Sequence, residues 1–148
     1  RGLRFENVIT IPSQEIANYP QGLNAEVLNG ALMKAPDHPA VFILNNGIRQ
    51  LLSYFVFTQR GFDRQLLGLV SLEELVKYPV AAEGFLYPPS DGTLIRGDQV
   101  STVYVIESGK RRGLNLAAFQ NRGYRFEDVK ILPQSETEGY ELGLAIVE

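Results

Sequence analysis

The chain contains no cysteine and no tryptophan, and a single histidine. Without cysteine there are no disulfides, no thiolate metal sites and no cysteine nucleophile. The compartment stays open, since cysteine-free chains occur both in reducing and in oxidising surroundings. The one histidine, His38, lies in a Pro36-Asp37-His38-Pro39 loop. Neither an H-E-x-x-H pair nor an EF-hand ligand series accompanies it, and a triad with Ser53 or Ser71 is selected by no spacing and no G-x-S-x-G elbow. Gly109-Lys110-Arg111-Arg112-Gly113 lacks the spacing and the trailing Ser or Thr of a phosphate loop. Long apolar runs are missing too: none approaches the roughly 18 to 20 residues of a membrane span. There is no excess of basic charge, the net charge being -3 and the pI about 5.3. A protein working mainly on phosphate backbones or anionic lipid needs a basic face. These absences predict no catalytic residues, no metal, no cofactor, no nucleic-acid partner and no membrane insertion.

What is present is a folded composition, with 45% hydrophobic and 21% charged residues in a chain of 148. That length buries roughly 70% of the unfolded surface in one domain, and it also accommodates a few small repeats. Self-similarity decides between these. Val103 to Tyr124, VYVIESGKRRGLNLAAFQNRGY, has a diverged copy at Val41 to Phe62, VFILNNGIRQLLSYFVFTQRGF. Gly30-Ala31-Leu32-Met33-Lys34 matches Gly92-Thr93-Leu94-Ile95-Arg96, and Gly2-Leu3-Arg4-Phe5-Glu6-Asn7-Val8 matches Gly123-Tyr124-Arg125-Phe126-Glu127-Asp128-Val129. A period of about 60 residues follows, and a period in this range marks stacked repeat architecture. The expected organisation is a partial, C-terminal half-unit with its connector strand at 1–29, a full unit at 30–91, and a full unit with a trailing strand at 92–148. The opening on Arg1, without an initiator methionine, suggests a processed or excised product whose targeting segment has been removed.

The pattern within a unit predicts an α+β fold of tandem repeats, each a small antiparallel β-meander with two short helices. Asn29-Gly30 and Asp91-Gly92 carry the type I′ hairpin signal that begins the meander. Leu32-Met33 and Leu94-Ile95 lie in the next strand. Val41 to Leu44 and Val103 to Ile106 follow as β-branched runs, turned at Asn46-Gly47 and Ser108-Gly109 onto Ile48 to Leu52 and Lys110 to Leu114. Ser53 and Asn115 are placed to cap short helices that end at Gly61 and Gly123 in left-handed conformation. Strands are expected at Val8 to Ile11, Leu67 to Val70 and Val129 to Leu132. A second helical turn is expected near Ser13, Ser71 or Gln134, with Ser71 and Glu74 at capping-box spacing. Tyr19, Tyr78 and Tyr140 close the units, and the connectors Pro20 to Asn29 and Pro79 to Asp91 each hold a further strand.

Candidate binding residues fall into two groups. Lys110, Arg111 and Arg112 form the most basic stretch, and Arg49 is the counterpart of Arg111 in the earlier copy. An arginine recurring in each unit contacts a ligand or lays its stem on the core with its head on a carboxylate or on carbonyls. Tyr54, Phe55, Phe85 and Tyr87 are aromatics without counterparts in the other copy, suited to sugar stacking, to a protein partner or to packing between units. A carboxylate pair for glycoside hydrolysis is sought among Glu73, Glu74, Glu136 and Glu138, which read as solvated helix termini.

The series GTLIRG, VYVIESGKRR, a Phe with RGY and FEDV, then Tyr140 and Gly143, resembles a tandem repeat of bacterial secreted and cell-envelope proteins. The middle copy departs from it where Asp63-Arg64-Gln65 stands in place of Arg-Phe-Glu. The resemblance implies a non-catalytic binding or spacer module, extracellular or in the cell envelope, with an envelope polysaccharide or a neighbouring protein as partner. Two other readings stay open. In one, a structural surface or filament protein self-associates through edge strands such as Ala145 to Glu148. In the other, more remote, a carboxylate pair hydrolyses glycosides.

Overall fold

The computed structural model describes residues 10, 12, 29–82 and 86–148. Almost all of the expected half-unit at 1–29, including the Val8 to Ile11 strand, Tyr19 and the first connector, lies outside the described residues, as does Phe85. The described chain is α+β, with two four-stranded mixed sheets and four short helices. Strands β1 (Leu32–Lys34), β2 (Val41–Asn45) and β3 (Ile48–Leu52) lead to helix α1 (Tyr54–Gln59), a 3-10 turn at Arg64–Leu66, strand β4 (Leu67–Leu69) and helix α2 (Leu72–Val76). The same order follows in β5 (Leu94–Gly97), β6 (Val103–Glu107), β7 (Lys110–Leu114), α3 (Leu116–Asn121), a 3-10 turn at Phe126–Asp128, β8 (Lys130–Leu132) and α4 (Gln134–Glu138).

The sheets have the strand orders β3-β2-β1-β4 and β7-β6-β5-β8. Their registers coincide at an offset of 62 residues: Met33 pairs with Phe42 and Gly68, and Ile95 with Tyr104 and Lys130. A purely antiparallel meander was the expectation, and it needs correction. Three strands do meander, but β4 and β8 run parallel to β1 and β5. A parallel partner cannot be reached by a tight turn. The chain therefore leaves β3 at Leu52, crosses the sheet through α1, and enters β4 at Leu67.

The hairpin chemistry also shifts by one turn. Asn46 (φ 51°) with Gly47 (φ 75°), and Ser108 (φ 52°) with Gly109 (φ 74°), have both central residues left-handed, as a type I′ turn requires. At Asn29-Gly30 and Asp91-Gly92 only the glycine is left-handed. Their side chains instead support the neighbouring hairpins. Asn29 Oδ1 accepts from the Asn46 amide at 2.8 Å, and the Asp91 carboxylate accepts from the Ser108 and Gly109 amides at 2.9 and 3.0 Å. An acceptor placed over two otherwise unpaired amides stabilises a tight turn as an N-cap stabilises a helix.

The helices begin and end as their local residues require. Ser53 Oγ accepts from the Val56 amide and Asn115 Oδ1 from the Ala118 amide, at 3.2 and 2.8 Å. At the other end, the Phe62 amide donates to the Phe57 carbonyl and that of Gly61 to Thr58, and Tyr124 and Gly123 repeat the pattern on Phe119 and Gln120. This is the Schellman closure, and its hydrophobic contact is present at the ends of both α1 and α3, with the Phe57–Phe62 and Phe119–Tyr124 rings 6.0 and 5.8 Å apart. Ser71 caps α2 through the Glu74 amide at 3.1 Å. Pro133 precedes α4 and offers no side-chain cap, so Asp98, just past β5, accepts from the Gln134 amide at 3.0 Å.

Alternation along the strands gives each sheet two apolar faces. Leu94, Val103 and Val105 pack with Ala118 and Phe119, whereas Ile95 and Ile106 turn the other way. In the first sheet Leu32 and Ile43 share a face with Leu52 and Val56, and Met33 and Leu44 turn to the opposite face with Leu75. Leu32, Ile43, Leu52 and Val56 form one cluster with Ile95, Ile106, Leu132 and Tyr140. The α1 face of the first sheet is thus packed on the α4 side of the second. Polar contacts follow the seam: Leu86 N donates to the Gly139 carbonyl at 2.5 Å, Gln59 bonds Thr93 and Ser90, and the Arg60 guanidinium donates to the carbonyls of Pro88 and Pro89.

Candidate binding surface

Strand β7 presents the basic stretch, because the type I′ turn at Ser108-Gly109 reverses the chain immediately before Lys110. Its three cations are engaged within the molecule. Lys110 pairs with Glu141 at 2.6 Å. Arg111 donates Nε–H to the Tyr140 carbonyl at 2.9 Å and lays its guanidinium over the Tyr104 ring at 5.0 Å. Arg112 donates to the Leu144 carbonyl at 2.8 Å and pairs with Glu107 at 2.5 Å. Arg49 sits over Phe42 at 5.3 Å, matching Arg111 over Tyr104. Its Nε is buried without a partner among the described residues. Both arginines also fasten a connector to the sheet edge, Arg49 through Pro79 and Ala81 and Arg111 through Glu141 and Gly143. A guanidinium over an aromatic ring with an N–H on a backbone carbonyl, as in Arg111, is held by the fold itself.

The aromatic candidates do not converge. Tyr54 is 71% exposed on the first turn of α1. Phe55 and Tyr87 are half-buried against the shared core, and Tyr87 lies 6.3 Å from the Phe62 ring and under the Arg60 guanidinium at 4.8 Å. Phe85 lies outside the described residues. Tyr54 is therefore the described aromatic candidate most open to a partner, and it is separated in the fold from the β7 cations. Sequence reasoning missed Arg64, which lines the same groove as Tyr54. Its signal was the departure of Asp63-Arg64-Gln65 from Arg125-Phe126-Glu127.

The carboxylates proposed as a hydrolytic pair are tied down separately. Glu136 accepts from the Tyr140 hydroxyl at 2.7 Å, Glu138 from the Gln134 amide group at 2.7 Å, and Glu74 pairs with Lys77 at 2.6 Å. Among the described residues no group of three or more His, Cys, Asp or Glu is placed to hold a metal, and no helix is long and apolar enough to cross a membrane.

Glu107 is the electrostatic centre of this face. Arg122 bonds one of its oxygens and Arg112 the other, each at 2.5 Å. The hydrogen bond from Arg122, more than that from Arg112, holds the carboxyl below its usual range. A depressed folded pKa contributes stability that is complete above the unfolded value and lost as pH falls through the folded one. Glu107→Gln is expected to cost about 1 kcal/mol at neutral pH. That difference should shrink towards zero on acidification to about pH 2. Urea unfolding midpoints of the two proteins across this range measure it, and a constant difference would remove Glu107 from the account of acid sensitivity.

Compared with family models, with curated proteins and with solved structures, the chain gives no match to any of the three.

Proposed function

We propose that the chain is a non-catalytic tandem-repeat module, acting in binding or as a spacer on a surface protein of the extracellular space or cell envelope. The observation that carries this reading is the shared register of the two sheets at an offset of 62 residues, together with the single core that joins them. The units are 30–91 and 92–148, preceded by the half-unit at 1–29. The α1 face of one sheet meets the opposite face of the next, a head-to-tail contact that admits further units in series. The β7 cations, engaged by Glu107, Glu141 and the carbonyls of Tyr140 and Leu144, act as scaffold in this reading. The envelope location rests on the resemblance of GTLIRG, VYVIESGKRR and RGYRFEDV to the bacterial repeat.

The partner in this reading is an envelope polysaccharide or an adjoining protein. Sedimentation of the whole chain with insoluble cell-wall polysaccharide at low salt tests the first. Retention above that of an unrelated acidic protein is expected, and none would leave the protein partner. Self-assembly through edge strands such as Ala145 to Glu148 is less well supported, because Ile146 already bonds Gly113 and Asn115 at the β7 edge, and β4 and β8 at the opposite edges have three residues each. Short edge strands are one of the ways in which sheets avoid pairing with other chains.

A further inference from the structure

Two grooves are built from positions 62 residues apart. The first, of about 340 Å³, lies where β2 begins, β3 ends and α1 takes its first turn; the second, of about 290 Å³, lies at the same place between β6, β7 and α3. Their walls match, Val41 with Val103, Leu52 with Leu114 and Phe57 with Phe119. They differ at Pro39 and Ser101, Ala40 and Thr102, Ser53 and Asn115, Tyr54 and Leu116, and, in charge, at Arg64 and Phe126. In the second groove Phe126 stacks on Phe119, with ring centroids 4.4 Å apart and planes 23° from parallel, so an aromatic ring lines that side of it. In the first groove that position is Arg64.

Arg64 is exposed, and among the described residues its guanidinium makes no ion pair and no hydrogen bond. The adjacent acid, Asp63, accepts from the Gln65 amide at 2.8 Å and so caps the 3-10 turn. The Ser53 hydroxyl is likewise occupied, on the Val56 amide. What remains is an apolar trough formed by Val41, Leu52, Phe57 and Leu67, with the exposed Tyr54 ring beside it and the Arg64 guanidinium, which has no ion partner among the described residues. Ligand pockets of about 300 to 1,000 Å³ with mostly apolar walls and a few placed polar groups are typical of small-molecule sites. A guanidinium fork matches a carboxylate in bidentate geometry.

We propose that this groove binds a medium-chain carboxylate, its alkyl chain along Val41, Leu52, Phe57 and Leu67 and its carboxylate on Arg64. The groove walls Val41, Leu52, Phe57 and Leu67 belong to or pack on the core shared by the two sheets, whereas Arg64 takes no part in it, so the test reads the cation and not the walls. The Phe126 groove lacks the cation and serves as an internal comparison.

An NMR titration of the whole chain with octanoate, and with octan-1-ol as the neutral comparator, tests it. Octanoate is expected to move the amides of Tyr54, Phe57 and Arg64 to Leu67 and to saturate at one equivalent. Octan-1-ol should bind at least tenfold more weakly. Arg64→Gln, and Arg64→Phe which copies the second groove, should each weaken octanoate at least tenfold with the melting temperature unchanged, the position being exposed. Equal binding of octanoate and octan-1-ol, absence of saturation, shifts centred on Phe119 and Phe126, or full affinity in Arg64→Gln would each overturn the proposal.

Discussion

Replacing Tyr140 with alanine is expected to destabilise the chain by about 3 to 5 kcal/mol, the range for removing a large buried aromatic side chain. The residue is 1% exposed and packs in the cluster that contains Leu32, Ile43 and Val56 of the first sheet and Ile95, Ile106 and Leu132 of the second. Its removal therefore opens a cavity at the seam and not within one sheet. The phenol adds a polar component, donating to Glu136 at 2.7 Å and lying 3.4 Å from the Ser53 hydroxyl across the seam. Burial pushes its pKa well above the ordinary phenol value, so the hydroxyl stays protonated and able to donate at neutral and mildly alkaline pH. Tyr140→Phe keeps the volume and loses the hydroxyl, and should cost about 1 to 2 kcal/mol, the range for leaving a buried partner less well satisfied. Urea denaturation of both variants measures the two contributions. If alanine cost no more than phenylalanine, the ring would not be filling the seam, and the shared core would be wrong.

The same residue shows what the sequence made legible. Tyr140 has a counterpart at Tyr78 in the sequence, and the caps at Ser53 and Asn115 and the left-handed glycines at Gly61 and Gly123 were readable there. Each of these features is settled by a few neighbouring residues, through a φ value or a hydrogen bond three residues away. Asn46-Gly47 belongs to this class, and its type I′ geometry is local. The features that escaped are settled by distant partners. Nothing near Leu67 says that it will lie beside Leu32 and run parallel to it. Asp91 was read as a turn residue, yet its carboxylate serves amides at Ser108 and Gly109 in another turn. Arg111 carried the appearance of a binding residue because its acceptor, the Tyr140 carbonyl, is a backbone atom and leaves no mark in the sequence. Arg64 was visible only as the departure of Asp63-Arg64-Gln65 from Arg125-Phe126-Glu127, and the role proposed for it depends on the groove that Val41 and Leu52 help to build.

Excising residues 92–148 is expected to give a fragment that is largely unfolded at room temperature. The fragment keeps its own sheet, β5 to β8, and the cluster of Leu94, Val103, Val105, Ala118 and Phe119. It loses what covers the other face, so Ile95, Ile106, Leu132 and Tyr140, each no more than 7% exposed in the whole chain, are returned to water. Each such side chain is worth about 1.5 to 3 kcal/mol when fully exposed. Even at half that, four of them approach the roughly 3 to 8 kcal/mol that a domain of this size holds in total. The bonds of Leu86 to Gly139, and of Gln59 to Thr93, are lost with them. Burial between neighbours is what makes stacked units stable when one alone is not. Circular dichroism melting of fragment and whole chain at equal concentration reads this directly. A fragment melting cooperatively at the temperature of the whole would mean that the second sheet stands alone, and the proposed module would then be two independent domains on one chain.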